Sequence, residues 1–319
     1  MKILVTGGSG FLGSAVVRRL SAAGHDAVVA DLREPETLPD GVTFARFDVT
    51  DADLVGAVIG AVQPEVVVHL ASIVTPGKKS NRELEYAVDV DGTRNVLDAC
   101  LAHGVRRIVV SSSGAAYGYH ADNPAWLTEI DQVRGNEEFA YSHHKRLVEE
   151  MLAELRTSTP ALEQVVLRIG TILGESVDNQ ITALFDWPFL LKVGGADSPF
   201  VFIWDTDVAA IIERGATGPA DAVVGVTNVA GDGTLTMDDI AQRLGKRAVS
   251  VPTIALQGVL GVLKPLGLSA YGPEQTRFLQ FRPVLANDRL RTTFGYVPSK
   301  TSSEAFDAWL AARAQRTRP

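Results

Sequence analysis

One cysteine, Cys100, stands in 319 residues, so no disulfide can form within the chain. Its setting in "NVLDACLAHG" suits a small buried apolar side chain. Basic charge is also short: 30 Lys plus Arg face 38 Asp plus Glu, the net charge is -8, and no long basic run occurs. Nucleic acid is therefore not an expected partner. The six histidines (His25, His69, His103, His120, His143 and His144) are scattered apart from the last two, and none has partners at metal spacing, so no metal site is expected. At the N-terminus the apolar run in "MKILVTGGSG" has strand length and breaks into glycines, too short for the apolar region of a signal peptide. These features fit a cytoplasmic location. One long apolar stretch, "VSVPTIALQGVLGVLKPLGLSA" (249–270), carries a single charge, Lys264. Pro252, Pro265 and its glycines argue against a membrane span, and a buried or substrate-facing helix is expected.

What the chain has in quantity is β-branched runs alternating with helical patterns. Strands are expected at 2–6, 26–30, 42–48, 65–71, 106–112 and 163–169, with helices at about 10–23, 51–61, 83–103 and 139–157. Continuous Val and Ile runs suit strands buried on both faces, and strand–helix–strand repetition implies a parallel sheet with right-handed crossovers. The expected fold is α/β, a Rossmann-type doubly wound parallel sheet with a smaller, discontinuous C-terminal substrate lobe. Further strands are expected at 201–204 and 222–229, with a helix at about 205–215 between them. Residues 1–170 plus about 200–231 would then form the nucleotide-binding domain, and about 171–199 plus 232–319 the lobe.

"VTGGSGFLG" follows the first strand and opens the first helix, placing Gly7, Gly10 and Gly13 at three-residue steps. A diphosphate demands this pattern: a tight turn at the first glycine, close backbone approach at the second, and helix packing at the third. The second strand ends at Asp31, 18 residues past Gly13. A carboxylate there accepts ribose hydroxyls and repels a 2'-phosphate, which favours NAD over NADP, although Arg33 partly offsets that repulsion. A third feature is "FAYSHHK" (139–145), which sets Tyr141 four residues before Lys145 on one helical face.

Together these stretches resemble the extended short-chain dehydrogenase/reductases, the NAD-dependent epimerase/dehydratase group. The resemblance rests on "TGGSGFLG", "FDVTD" after the third strand, "HLAS" after the fourth, "SSSGAAYG" after the fifth, "YSHHK" and "LRIGTILG". It implies cofactor contacts at Gly7, Gly10, Phe11, Leu12 and Gly13, at Asp31, at Asp48 and Val49, and at Leu70, Ala71 and Ser72. It further implies that Ser113, Tyr141 and Lys145 are catalytic, with Tyr141 and Lys145 also touching the cofactor. A phenol is a poor base at neutral pH unless an ammonium stabilises its ionised form, so the roles agree with the chemistry. Tyr141 would exchange a proton with a substrate hydroxyl or carbonyl, Lys145 would bond the nicotinamide ribose, and Ser113 would hold the substrate oxygen.

Two departures matter. Asp89 in "DVDGT" stands where the family usually has Asn, and Thr171 in "LRIGTILG" stands where sugar-nucleotide members carry an Asn that helps bind diphosphate. Gly114 and Ala115 follow Ser113 where dehydratases commonly carry an acidic pair. The expectation is hydride transfer to or from a small-molecule alcohol or ketone, with a sugar-nucleotide 4-epimerase or a non-catalytic cofactor sensor as rivals. Phe185, Trp187, Phe189, Phe200, Phe202 and Trp204 suggest an apolar pocket, with core packing an equal alternative, and Lys192 is the one cation among residues 171–204. His143 and His144 are expected at solvent or a dimer interface, with His144 lining the Tyr141 face as the alternative. The resemblance also implies a homodimer through the helices at 83–103 and 139–157.

Overall fold

The expected strands near the N-terminus form: Lys2–Thr6, Asp26–Asp31 and Val66–His69 bury their Val and Ile runs, while Thr43–Arg46, at the sheet edge, has no fully buried residue. The computed structural model describes residues 1–74, 81–194, 196–263 and 272–316. β1 (Lys2–Thr6) passes through the glycine turn into α1 (Phe11–Ala22), followed by β2 (Asp26–Asp31), β3 (Thr43–Arg46), α2 (Ala52–Val62) and β4 (Val66–His69). Next come α3 (Arg82–Tyr86), a π-helical turn (Ala87–Asp91), α4 (Gly92–Ala102), β5 (Arg107–Ser113) and a 3-10 turn (Gly114–Tyr117). α5 (Ala140–Ser158), β6 (Glu163–Ile169), β7 (Thr171–Leu173), α6 (Gln180–Leu184), β8 (Phe189–Val193) and β9 (Phe202–Trp204) lead to α7 (Asp205–Thr217). The chain continues through α8 (Ala220–Val223), β10 (Gly225–Val229), α9 (Met237–Leu244), β11 (Arg247–Val251), α10 (Thr253–Leu263), α11 (Gln275–Gln280), α12 (Asp288–Thr292) and α13 (Ser302–Arg316).

Seven strands form one parallel sheet in the order β10-β6-β5-β4-β1-β2-β3. Ile3 of β1 lies opposite Ala27 on one side and Val66 on the other. The order reverses at β1, and the crevice beyond the strand ends at such a reversal is where α/β sheets receive ligands. Alternate residues feed two cores: Ile3 and Val5 pack with α1 and α7, while Leu4 packs with α2, α4 and α5. Each such side chain contributes about 1.5–3 kcal/mol on burial. Leu290 and Phe294, late in the chain, belong to the first of these cores.

A third cluster gathers Phe185, Phe200, Phe202, Trp204, Phe306 and Trp309. It lies beside two short parallel ribbons, β8 with β11 and β7 with β9. Of the six aromatics considered for a pocket, four are therefore core, and only Trp187 and Phe189 are exposed. Core packing is the correct reading, because the rings meet edge-on and stacked within 6 Å of one another.

Three expected elements differ. The helix at 83–103 is broken by the π turn, in which Gly92 N–H bonds to Ala87 O, five residues back. Thr93 Oγ1 donates to Asp89 O at 2.6 Å, so a side chain claims a helical carbonyl there. The strand at 222–229 is shortened, since Ala220–Val223 coils into a helical turn and Gly225, with φ +113°, swings the chain into β10. The apolar stretch at 249–270 is not one buried helix. Its start pairs with β8 as β11, Pro252 ends that strand, and no residue of α10 is buried; Ile254 is 84% exposed. Lys264 and Pro265 lie outside the described residues. Among the described residues no helix is long and apolar enough to cross a membrane.

Candidate functional site

The glycine turn takes its shape from close backbone packing. Gly7 has φ +68°, and a Cβ on it would come within 2.9 Å of Ala71 N. A Cβ on Gly13 would run into Gly7 O. Gly10 caps α1 with extended backbone, Phe11 is half exposed, and Leu12 packs against the first core. The turn thus leaves the start of α1 open at the sheet's reversal point.

Around it stand the other residues singled out by sequence. Asp31 closes over the turn, its Oδ2 accepting from Ser9 N at 3.1 Å and its Oδ1 from Arg33 N at 3.3 Å. Asp48 accepts from Thr50 N and Oγ1, while Val49 is buried against Gly92. Thr6 Oγ1 accepts from Leu70 N and Ala71 N, which pins the end of β4 beside the turn. Ser72 Oγ is buried beside Asp89 yet makes no well-formed hydrogen bond among the described residues. A glycine cradle and the buried Ser72 hydroxyl at the same crevice fit a bound dinucleotide.

On the other side of the crevice, Lys145 Nζ donates to Ser111 O at 2.9 Å and sits 5.4 Å from the centre of the Tyr141 ring. Ser113 Oγ accepts from Ala115 N at 3.1 Å, and Ser142 Oγ donates to Ala115 O at 2.6 Å. Ala115 is therefore held from both sides, by the neighbour of Tyr141 and by Ser113, which fixes α5 against the end of β5. Behind this junction Arg168 grips Glu149 with Nε and Nη2, and Glu149 also accepts from Ser112 Oγ. Burial pulls the Arg168 guanidinium down, but Glu149 outweighs it and the net shift is upward.

His144 contradicts its expectation. It is 4% exposed, and its Nδ1 faces Asp89 Oδ2 at 3.1 Å. The physical reason is that the π turn presents Asp89 to α5, and a buried carboxylate needs a polar partner. His143 beside it is partly exposed and contacts Arg146. Lys192 is also accounted for, paired with Asp238 and Asp197.

Sequence reading missed Arg282. Its guanidinium carbon lies 3.9 Å from the centre of the Phe200 ring and 5.2 Å from that of Phe278, and its Nη1 donates to Ser198 O. Nε and Nη2 are buried without partners among the described residues. Burial pushes this guanidinium down to about 9, with Tyr119 acting in the opposite sense, so it stays charged at neutral pH. Tyr119 in turn lies within electrostatic reach of Tyr141. A hollow of about 230 Å³ adjoins Tyr119, lined also by His120, Arg277 and Phe281.

A family model described as NAD dependent epimerase/dehydratase family matches residues 3–186. The chain belongs to that family. Among relatives, an uncharacterized protein of Mycobacterium tuberculosis is 29% identical over 99% of this chain, which spans only 30% of that protein's length. UDP-glucose 4-epimerase of Mus musculus is 30% identical over 56% of each chain. Two solved structures share the fold of the family. A short-chain dehydrogenase/reductase superfamily protein from Agrobacterium tumefaciens, with bound NAD, aligns at TM-score 0.74 and 24% identity over 99% of this chain and 98% of its own. UDP-glucose 4-epimerase of Thermotoga maritima, with UDP-glucose, aligns at TM-score 0.75 and 18% identity over the whole of both chains.

Proposed function

We propose that the chain is an NAD-dependent oxidoreductase that moves a hydride between the nicotinamide and a substrate carbon bearing a hydroxyl or carbonyl. The observation that carries this reading is the Lys145 ammonium held 5.4 Å from the Tyr141 ring at the mouth of a glycine-turn crevice. NAD, when bound, supplies the hydride chemistry. Tyr141 exchanges the proton at the substrate oxygen, Lys145 supports it from below and bonds the nicotinamide ribose, and Ser113 holds the same oxygen. Gly7, Gly10, Phe11, Leu12 and Gly13 carry the diphosphate, Asp31 the adenosine ribose, Asp48 and Val49 the adenine. Leu70, Ala71 and Ser72 line the far side. Asp31 selects NAD over NADP.

The idea of an apolar substrate loses its support, since most of the aromatics that suggested it are core. The buried Nε and Nη2 of Arg282, beside Tyr119 and without hydrogen-bond partners among the described residues, favour a substrate with an anionic group. That observation, with the likeness to a mouse UDP-glucose 4-epimerase, supports a second reading: 4-epimerisation of a sugar nucleotide, in which the cofactor is reduced and reoxidised in place. The division into a nucleotide domain (1–170 plus about 200–231) and a lobe, a homodimer through α4 and α5, and a cytoplasmic location belong to the same proposal.

One assay separates the readings. The protein is incubated with NAD and a panel of alcohols, hydroxy acids and sugar nucleotides, and the absorbance of the reduced cofactor is followed. Net accumulation of NADH supports the dehydrogenase. Conversion of a sugar nucleotide to its 4-epimer without NADH accumulation supports the epimerase, and no turnover with any member counts against both.

A further inference from the structure

Beneath the ends of β4 and β5 lies a carboxylate that the proton-transfer reading leaves unused. Asp89 is 3% exposed. Its Oδ1 accepts the Ile73 N–H at 2.9 Å, and its Oδ2 faces His144 Nδ1 at 3.1 Å. Ile73 directly follows Leu70, Ala71 and Ser72, and His144 directly precedes Lys145. One carboxylate therefore ties the segment after β4, proposed to lie along the cofactor, to the helix that carries Lys145, proposed at the nicotinamide ribose.

The groups around Asp89 leave its charge in place. His69 on β4 joins Thr6 Oγ1 at 2.7 Å and Thr93 Oγ1 at 3.0 Å, and burial, then Lys145, push its imidazole down to about 3, so it is neutral. From α4, Thr93 occupies the Asp89 carbonyl, and from α3 the Tyr86 ring meets His144 edge-on. Burial alone would raise the Asp89 carboxyl. The His144 hydrogen bond, the Lys145 ammonium and the Ile73 N–H outweigh it and hold the group below the usual carboxylate range. It is thus an anion at neutral pH, acting through space on Lys145.

The nicotinamide ring is positively charged when oxidised and neutral when reduced. A fixed charge near it therefore discriminates between the two forms, and more strongly in a site shielded from water. We propose that Asp89 biases the site toward the oxidised cofactor: its carboxylate, fixed by Ile73 and His144, offsets the Lys145 ammonium, so the pyridinium form is not repelled as it would be with Asn at position 89. The inference rests on the cofactor reading given above. It assigns Asp89 a positioning and electrostatic role, exerted without touching the substrate.

The test measures dissociation constants for NAD and NADH separately on the full chain, freed of co-purified nucleotide, using protein fluorescence quenching and the emission of the reduced cofactor. In Asp89→Asn, which keeps an acceptor for the Ile73 N–H, the ratio of the NAD constant to the NADH constant rises roughly fivefold or more. In His144→Gln the carboxylate charge remains and the ratio stays within about twofold of the original. Asp89→Ala shifts the ratio the same way as Asp89→Asn, even where both affinities fall, whereas a bracing role alone would weaken the two in parallel. An unchanged ratio in both Asp89 variants, with both nucleotides still binding, overturns the inference and leaves the cofactor reading standing. Failure of the unaltered protein to bind either nucleotide overturns the cofactor reading, and this inference with it.

Discussion

Lys145 Nζ donates to the Ser111 carbonyl at 2.9 Å while lying 5.4 Å from the centre of the Tyr141 ring. The ammonium is thus anchored to a strand and presented to a phenol one helical turn away. Replacing Tyr141 by Phe removes the only exchangeable proton on that side chain and leaves the anchor. Turnover is expected to fall by about two to four orders of magnitude, with NAD affinity nearly unchanged. Steady-state rates and a nucleotide titration on the same preparation check this, and full retained activity removes Tyr141 from the proposed chemistry.

Asp31 sits over the glycine turn with one oxygen on Ser9 N and the other on Arg33 N. Asp31→Ala deletes the proposed ribose acceptor and the charge that repels a 2'-phosphate. The preference for NAD over NADP should narrow by roughly tenfold or more, measured as the ratio of the two dissociation constants. A ratio equal to that of the unaltered protein would exclude Asp31 from the adenosine site.

Arg282 tests whether a buried charge serves a ligand or the fold. Its guanidinium lies over the Phe200 ring, while Nε and Nη2 find no hydrogen-bond partner among the described residues. Arg282→Met keeps much of the packing and removes an uncompensated charge, so the melting temperature should hold or rise. A melting temperature lower by more than about 5 °C would mark the guanidinium as structural.

His69 makes a prediction about acid stability. With its imidazole pushed down to about 3 by burial and then by Lys145, the folded state refuses a proton that the unfolded chain accepts below 6.5. Its contribution is therefore complete above 6.5 and drains away as pH falls toward 3, by up to about 1.4 kcal/mol per pH unit. The contribution of Asp89, whose folded value is depressed, is complete above 3.8 and is lost only below it, so the two windows scarcely overlap. His69→Gln should flatten the loss of stability across the upper window, read by denaturant unfolding at several pH values. A slope identical to the original would contradict the burial argument.

The parts of the site that were legible in the sequence are those whose partners lie close along the chain. Gly7, Gly10 and Gly13 form one tight turn at the head of α1, and Tyr141 and Lys145 share one helical face. Arg282 was illegible because its burial depends on Ser198 and Phe200, more than eighty residues earlier, and nothing in "FRP" announces a cavity. His144 was misjudged for a related reason, since Asp89 is 55 residues away and only the break in the helix brings the two together. The aromatics at 185–204 were ambiguous because apolar rings suit a pocket and a core equally until Phe306 and Trp309 arrive from the last helix. The end of β11 (Arg247–Val251) was hidden inside a run whose apolar composition says nothing about period.

The π turn at Ala87–Asp91 amounts to one surplus residue in an otherwise ordinary helix. Every side chain on its N-terminal side is consequently rotated by about 100° relative to an unbroken helix. Deleting a single residue there would let the helix heal, and the geometry that now faces Asp89 toward His144 would have no reason to persist. The surplus residue therefore works as a phase shift: a matter of length, not of chemistry, that decides which side chain of the helix meets His144.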